Sequence, residues 1–542
     1  MWLLFLVAGL FTVCGFAQAP RAPESYRIGG VVVHALSGDP LPRTELAIFS
    51  ASDYKFIRRA FADEAGRFEF DNLAPGKYSL EARRPGFFRQ GLNQHENFWT
   101  GIAVGPGLES GNVVFRLRPD AAISGTITDN QNEAVPEAQV LLLADRVENG
   151  RRATTLVQQQ AADDAGRYHF GHLLPGSYFV AVQARPWYAA NGETMTLEPS
   201  EQSGEWEKVT FAGKPAESGP DFVYPVTLYP GVTDSAQATP IMLNPGEQAS
   251  ADFVLSPVPS LHLRVKTPAG TPPGQTPSIQ LAEELFGGYD LPVAIRGNAD
   301  RSGELELGGL PPGQYKLTLQ TYGDHPQSWS QSVALYGDME ISPSAAVSPV
   351  AISGLVMSSG RAVTSRPMVV LFGPRGRALA RVSPEGKFQV TEYLPAGTYE
   401  VAVYNASNSM VSGLTASGAR TVGRSFEMSG ANPVTLVIEL SPGVSQVVGV
   451  ALREGKPEPG AMILLVPRDP EHNSSLVRRD QSDSDGTFTL RGVAPGPYTL
   501  LALSHGWGLE WANPAVLRPY LAAGQDVEVT PGKKLQLKVQ AQ

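Results

Sequence analysis

Five times along the chain the same short phrase recurs, and it leaves few folds open. An acidic residue or polar turn is followed by glycine, an alternating run, a leucine or valine, proline-glycine and tyrosine. Copy one is Asp63 to Gly66, Phe68, Phe70, Leu73, Pro75, Gly76 and Tyr78. Copy two is Asp163 to Gly166, Tyr168, Phe170, Leu173, Pro175, Gly176 and Tyr178. Copy three runs from Asp300 and Gly303 through Leu305 and Leu307 to Leu310, Pro312, Gly313 and Tyr315. Copy five runs from Asp483 and Gly486 through Phe488 and Leu490 to Val493, Pro495, Gly496 and Tyr498. Copy four is degenerate: it keeps Gly386, Phe388, Leu394, Gly397 and Tyr399, but Ala396 stands where the others have proline. The first glycines of the five copies lie 100, 137, 83 and 100 residues apart, a domain-sized period and not a solenoid one.

Each piece has a physical role. Asp-x-x-Gly between alternating runs reads as a hairpin loop with glycine in the left-handed conformation. Pro75-Gly76 and its equivalents read as type II turns, glycine again supplying positive φ. Phe68 and Phe70 alternate with Arg67 and Glu69, so one strand face is buried and one is wet. Further short runs flank each copy, such as Ile123 to Ile127 before it and Val527 to Val529 after it. About seven short strands in each ~95 residues, with 56 glycines and 45 prolines in the chain for the turns between them, predict a β-sandwich. No convincing amphipathic helix is present. The expected fold class is all-β: a tandem array of about five Ig-like, transthyretin-like sandwiches over 26–119, 120–258, 259–349, 350–441 and 442–542. The second carries an insertion over 187–229, expected as a long surface loop. The joints are short and bear proline, which predicts a semi-stiff string.

Residues 1–17 read as an export signal, with an apolar core too short to span a membrane and small residues before the expected cut after Ala17. No lysine or arginine precedes that core. Cys14, the chain's one cysteine, invites lipidation, but Phe11-Thr12-Val13 does not make a lipobox. The expectation is an exported protein in the periplasm, at the cell surface or secreted, with no membrane span. A net charge of −10 argues against nucleic acid as a partner.

The pattern of Ile123-Ser-Gly125-Thr-Ile127, Pro136-Glu-Ala138-Gln-Val140, Asp163 to Gly166, Tyr168, Leu173 and Pro175-Gly176-Ser-Tyr178 resembles the carboxypeptidase regulatory-like domain. The resemblance extends over nearly the whole chain after the signal, best in copies one, two and five. It implies a transthyretin-like sandwich that stands beside the catalytic half of metallocarboxypeptidases and also occurs in secreted bacterial repeats, with a fold grouped with starch-binding sandwiches. Such a likeness speaks for fold and leaves activity open.

No chemistry-bearing constellation stands out. Zinc peptidase ligands of the His-x-x-Glu kind are missing from the sequence. His169 and His172 lack a third ligand, and Asp483-Ser-Asp485-Gly486 coincides with the repeated turn, so no metal and no cofactor is expected. The chain is read as not an enzyme. Aromatic residues follow the tyrosine strand in several copies: Phe87, Phe88, Trp187, Tyr188, Trp507 and Trp511. They either stack on sugar rings or cap one end of a sandwich and seal it to the next. The leading expectation is a multivalent carbohydrate-binding array. The alternatives are a protein-binding adhesion or spacer scaffold, or an accessory subunit of an outer-membrane transporter or peptidase. The partner is thus a polysaccharide or a cell-envelope protein, and the oligomeric state is open.

Overall fold

In a computed structural model, the first unit lays its strands in two facing sheets. The structure describes residues 25–542 apart from 187, 190–194, 199–207, 212–221, 269–270, 272–276, 294–295, 300–304, 321–327, 344–351, 359, 364–365, 374–375, 391–393, 395, 407–408 and 430–432. The export signal therefore lies outside the described residues. Unit one contains β1 (Tyr26–His34), β2 (Glu45–Ser50), β3 (Phe56–Phe61), β4 (Arg67–Leu73), β5 (Gly76–Arg83), β6 (Gln90–Gly91), β7 (Ile102–Val104) and β8 (Val113–Leu117). One sheet has the order β4-β1-β8. The other has β3-β2-β5, with β6 and β7 both on the far side of β5. The first strand pairs antiparallel with β4 and parallel with β8, so the last strand of the unit closes onto its first. The same parallel closure recurs in every later unit, ending with Ser445–Arg453 against Lys534–Gln540. The chain is an all-β tandem array of five such sandwiches.

Alternation decides the faces. Along β4, Phe68 and Phe70 are buried and Arg67 and Glu69 exposed, and Phe70, Leu46, Ile48, Leu80 and Phe115 meet in one core. Each such side chain contributes about 1.5–3 kcal/mol by leaving water. A glycine faces the first aromatic across the antiparallel pair: Gly30 opposite Phe68, Gly125 opposite Tyr168, Gly354 opposite Phe388, Gly449 opposite Phe488. Only a residue without Cβ fits, because a Cβ on Gly125 would lie 2.0 Å from the Ala251 carbonyl oxygen and 3.0 Å from the Tyr168 ring. Unit three replaces both members together, with Val265 opposite Leu305.

The repeated turns differ from expectation. In units one, two, four and five the strands on either side of Asp-x-x-Gly belong to different sheets, so the turn is an arch from one sheet to the other and not a hairpin. Only in unit three do the flanking strands, Arg296–Ala299 and Leu305–Leu310, pair with each other. Alternation marks a strand's face and says nothing of its partner. Gly66, Gly166, Gly386 and Gly486 do hold φ of +71° to +79°; Gly303 lies outside the described residues. The proline-glycine turns are not type II: Gly76, Gly176 and Gly313 are outside the left-handed region, and Gly397 and Gly496 sit at its far edge with φ of +155° and +138°. The left-handed residue comes earlier, at Asn72, His172, Gly309 and Gly492. There a β-bulge shifts the register and bends the strand towards the opposite sheet, which removes the need for a strained glycine at the corner.

The tyrosine after the corner locks it. The Tyr78, Tyr178 and Tyr315 hydroxyls donate to the carbonyls of Ala74, Leu174 and Pro311 at 2.7–2.8 Å. The Tyr498 hydroxyl is buried without a hydrogen-bond partner among the described residues. Tyr178→Phe is therefore expected to cost about 1 kcal/mol, and Tyr498→Phe to be neutral or slightly stabilising. Urea unfolding of the two variants checks the difference.

Three further expectations are corrected. A short helix, α1 (Pro514–Ala522), is capped by the Asn513 side chain, which accepts from the Ala515 amide. It escapes periodicity because only Leu517 is buried. The insertion is more than a surface loop. Thr227–Leu228 extends the second sheet of unit two, and Val226 and Leu228 join Leu141, Leu143, Leu285 and Leu291 in a core shared with unit three. Finally, the units do not form a string: unit five returns to contact units one and two.

Candidate functional site

The return of unit five onto unit one is built from the repeated turn itself. In units one and two the turn carboxylate serves its own loop. Asp63 accepts from the Ala65 and Arg67 amides at 2.9 and 2.8 Å, and Asp163 does the same for Ala165 and Arg167. Unit five has an acid directly before the turn glycine, where units one and two have alanine, and Asp485 takes over the Thr487 amide. Asp483 is freed to reach across: it accepts from the Gly101 amide at 2.9 Å and pairs with Lys77. Ser484 adds two bonds, its amide donating to the Gly101 carbonyl and its hydroxyl accepting from the Ala103 amide. The Gln481 side-chain amide donates to the Asn93 carbonyl and the Thr100 hydroxyl, both at 2.9 Å. A Cβ on Gly101 would stand 2.6 Å from the Asp483 carboxylate.

Around this staple the aromatics close the joint. Trp507 stacks on His95, with centroids 4.9 Å apart and planes 4° from parallel, and its indole N–H donates to the Gly460 carbonyl. Arg479 lies 4.8 Å above the Trp511 ring and pairs with Glu96 through two bonds of 3.0 and 2.9 Å. The other side of Trp511 meets Gly150 of unit two, where a Cβ would come within 2.5 Å of the ring. The Ala512 amide donates to the Gly150 carbonyl, and Arg152 pairs with Glu510. Trp507 and Trp511 are thus gathered at one three-unit junction. Phe87 and Phe88 lie elsewhere, at the joint from unit one to two: Phe87 meets His34 edge-on and bridges to Pro119, and the Phe88 amide donates to the Arg118 carbonyl. Tyr188 is 39% exposed. Trp187 lies outside the described residues.

Beside the staple a cleft of about 750 Å³ opens between units one and five. Lys77, Phe98, Trp99, Asp480, Asp483 and Arg491 line it. Burial pushes the Asp480 carboxyl up to about 6, although the Thr489 and Gln481 amides donate to it. Burial also raises Asp483, against the pull of Lys77. His95 is held below the usual histidine range, first by burial and also by the nearby Arg118. Among the described residues, no three His, Cys, Asp or Glu side chains gather in a way that could hold a metal ion. Lys77, His95, Trp99 and Arg479 were not singled out by sequence reasoning, and Asp483 was read only as part of the repeated turn. The one signal was the acid at Asp485, directly before the turn glycine, where copies one and two have Ala65 and Ala165.

A histidine whose folded pKa is depressed binds fewer protons in the closed joint than in the open one. Closure stability from His95 is therefore complete above its ordinary pKa and is lost as pH falls below it. Asp480, raised by burial, titrates with the opposite sign. His95→Phe keeps the ring stack and removes the histidine part, so acidification from pH 7 to 5 should open the parent more than this variant. Hydrogen exchange at the Gly101 and Ala103 amides reads the opening.

Comparison with known proteins follows the same two-sheet unit. The family model for the carboxypeptidase regulatory-like domain matches residues 27–114 and 122–207. The first two sandwiches are carboxypeptidase regulatory-like domains. In both, the glycine opposite an aromatic, the Asp-x-x-Gly arch and the bulged corner before Pro75-Gly76 or Pro175-Gly176 recur as described. No curated protein matches the sequence. Among solved structures, the Bacillus anthracis TIE protein is 8% identical over 96% of this chain and 76% of its own, with a TM-score of 0.16. Shaft pilin SpaA of Lactobacillus rhamnosus GG is 9% identical over 43% of this chain and 98% of its own, with a TM-score of 0.20. The minor pilin of Streptococcus agalactiae is 11% identical over 43% of this chain and 97% of its own, also with a TM-score of 0.20. These scores are too low to carry an argument. Among the described residues no helix is long and apolar enough to cross a membrane.

Proposed function

We propose that the chain is an exported, non-catalytic scaffold that presents a folded-back set of carboxypeptidase regulatory-like and related sandwiches to a cell-envelope protein. The observation that carries this reading is the use of Trp507 and Trp511 as mortar. Rings stacked on His95 and covered by Arg479 are not free platforms for a sugar. The exposed surface offers β3 instead, the free edge of its sheet, with Phe56, Ile57 and Phe61 between 40% and 62% exposed. Such an edge suits strand addition by a partner.

Carbohydrate binding is retained as a second reading on one specific observation. The 750 Å³ cleft combines the Trp99 ring with carboxylates and a guanidinium, a mixture suited to stacking and hydrogen bonding of a sugar. A panel of soluble and insoluble glycans, read by pull-down and tryptophan fluorescence, separates the two. The scaffold reading expects no glycan to be retained. Glycan binding lost in Trp99→Ala but kept in Trp507→Ala would replace it with the cleft reading. Loss in Trp507→Ala or Trp511→Ala, with the joint still closed, would return the loop aromatics to the role of platforms.

A further inference from the structure

The residue opposite the corner tyrosine is small or rigid in four units. Ser50 faces Tyr78, Ala144 faces Tyr178, Pro467 faces Tyr498, and Gly373 lies so close under Tyr399 that a Cβ would be 2.2 Å from the ring. Unit three places a glutamate there: Glu283 faces Tyr315. It sits between Leu281 and Leu285, on the buried side of its strand, and is only 9% exposed. It has no hydrogen bond or ion pair among the described residues. A carboxyl group in that situation forfeits solvation without recovering it, and burial pushes its pKa up to about 7.

The carboxyl opens onto a cleft of about 340 Å³ between units two and three. Tyr224 and Tyr315 provide aromatic walls, and Pro136, Val226 and Val293 provide apolar ones. The other charged side chains lining it are Glu137 and Arg185, so with Glu283 ionised the cleft is acidic by one charge. The cleft has the size of a small-ligand site. A donor-rich cation of small cross-section would satisfy the carboxylate and lie against the tyrosine rings.

We propose that this cleft binds a primary ammonium group, with Glu283 as its anchor. The group can belong to a small alkylamine or to a lysine side chain of a partner protein, since both present the same –NH₃⁺ on an apolar stem. Binding restores the carboxylate, so it releases a proton from the fraction of Glu283 that is protonated near neutral pH.

Calorimetric titration of the full chain with butylammonium at pH 7 tests the site, in two buffers of different ionisation enthalpy. The expected result is saturable binding with proton release, weakened at least tenfold in Glu283→Gln and in Glu283→Leu. The leucine variant fits the apolar side of the strand and guards against a glutamine variant that fails to fold; thermal melting monitors both. A lysine-containing peptide blocked at its α-amino group, run beside its norleucine counterpart, distinguishes the sources. Tighter binding of the lysine peptide than of butylammonium assigns the site to a protein partner, and equal or weaker binding to a small amine. No saturable butylammonium binding to the parent chain, or equal binding by the parent and both variants, overturns the proposal.

Discussion

Gly125→Ala is expected to destabilise unit two by about 3–5 kcal/mol, a large effect for a single methyl group. The new Cβ would stand 2.0 Å from the Ala251 carbonyl oxygen and 2.7 Å from its carbon. It must therefore displace the backbone leading into Phe253–Leu255, which pairs parallel with the strand holding Gly125. That pairing closes the sandwich, and the Tyr168 ring crowds the new methyl group as well, at 3.0 Å. Against a domain stability of about 5–15 kcal/mol, the loss takes a large share. Hydrogen exchange at Ile127 and Phe253 in the full chain gives the local free energy. Gly288→Ala is the matched control, because its Cβ would meet nothing within 4 Å and its φ lies outside the left-handed region; it should change stability by no more than about 0.5 kcal/mol. An equal response of the two variants would show that the glycine opposite the aromatic is not a steric requirement.

Asp483→Ala is expected to release unit five from unit one while leaving both folded. The substitution strips the Gly101 amide and the Lys77 ammonium of their shared acceptor. Lys77 keeps the Thr487 hydroxyl as a partner, so losing its ion pair and leaving the Gly101 amide unpaired costs about 2–3 kcal/mol. Arg479→Ala attacks the same joint from its other end, removing two bonds to Glu96 and the cation above Trp511. Because Asp483 and Arg479 share one interface, the double variant should lose less than the sum of the singles. Asp63→Ala is the control: Asp63 holds the same turn position but accepts only from amides of its own loop, Ala65 and Arg67. It should weaken unit one by about 1 kcal/mol without opening the joint. Small-angle scattering separates these outcomes, since the radius of gyration grows only when unit five is released.

The two-layer sandwich was legible because burial leaves a period in the sequence. Phe68 and Phe70 alternate with charged residues, and the structure buries the first pair and exposes the second. What alternation cannot encode is the partner of each strand. The runs on either side of Asp63 to Gly66 look like a hairpin and lie in opposite sheets. The glycine of Pro75-Gly76 looks like a left-handed turn residue, while the left-handed residue is Asn72, an ordinary-looking asparagine inside a bulge.

The candidate site was visible only in part, for a related reason. Trp507 and Trp511 stand out as aromatics after the tyrosine strand, but their neighbours His95 and Gly150 come from units hundreds of residues away. Arg479 reads as one of two arginines at a strand, and nothing local says that it serves Glu96. The acid at Asp485, where copies one and two have Ala65 and Ala165, was a real departure from those copies. Its meaning, one acid for the turn and one for the neighbour, needed the fold-back to be known. Glu283 is similar: a glutamate on an alternating strand looks like a solvent-facing residue until the register puts it opposite Tyr315.

The central claim is that the array closes on itself through the joint of units one and five. Spin labels at Asn97 and Arg491, placed on engineered cysteines in a chain that begins after Cys14, measure it directly by pulsed electron resonance. A closed array gives one short, narrow distance distribution at neutral pH, which lengthens and broadens in Asp483→Ala. A long, broad distribution in the parent chain, unchanged by Asp483→Ala, would contradict the closed array and restore a string of five sandwiches.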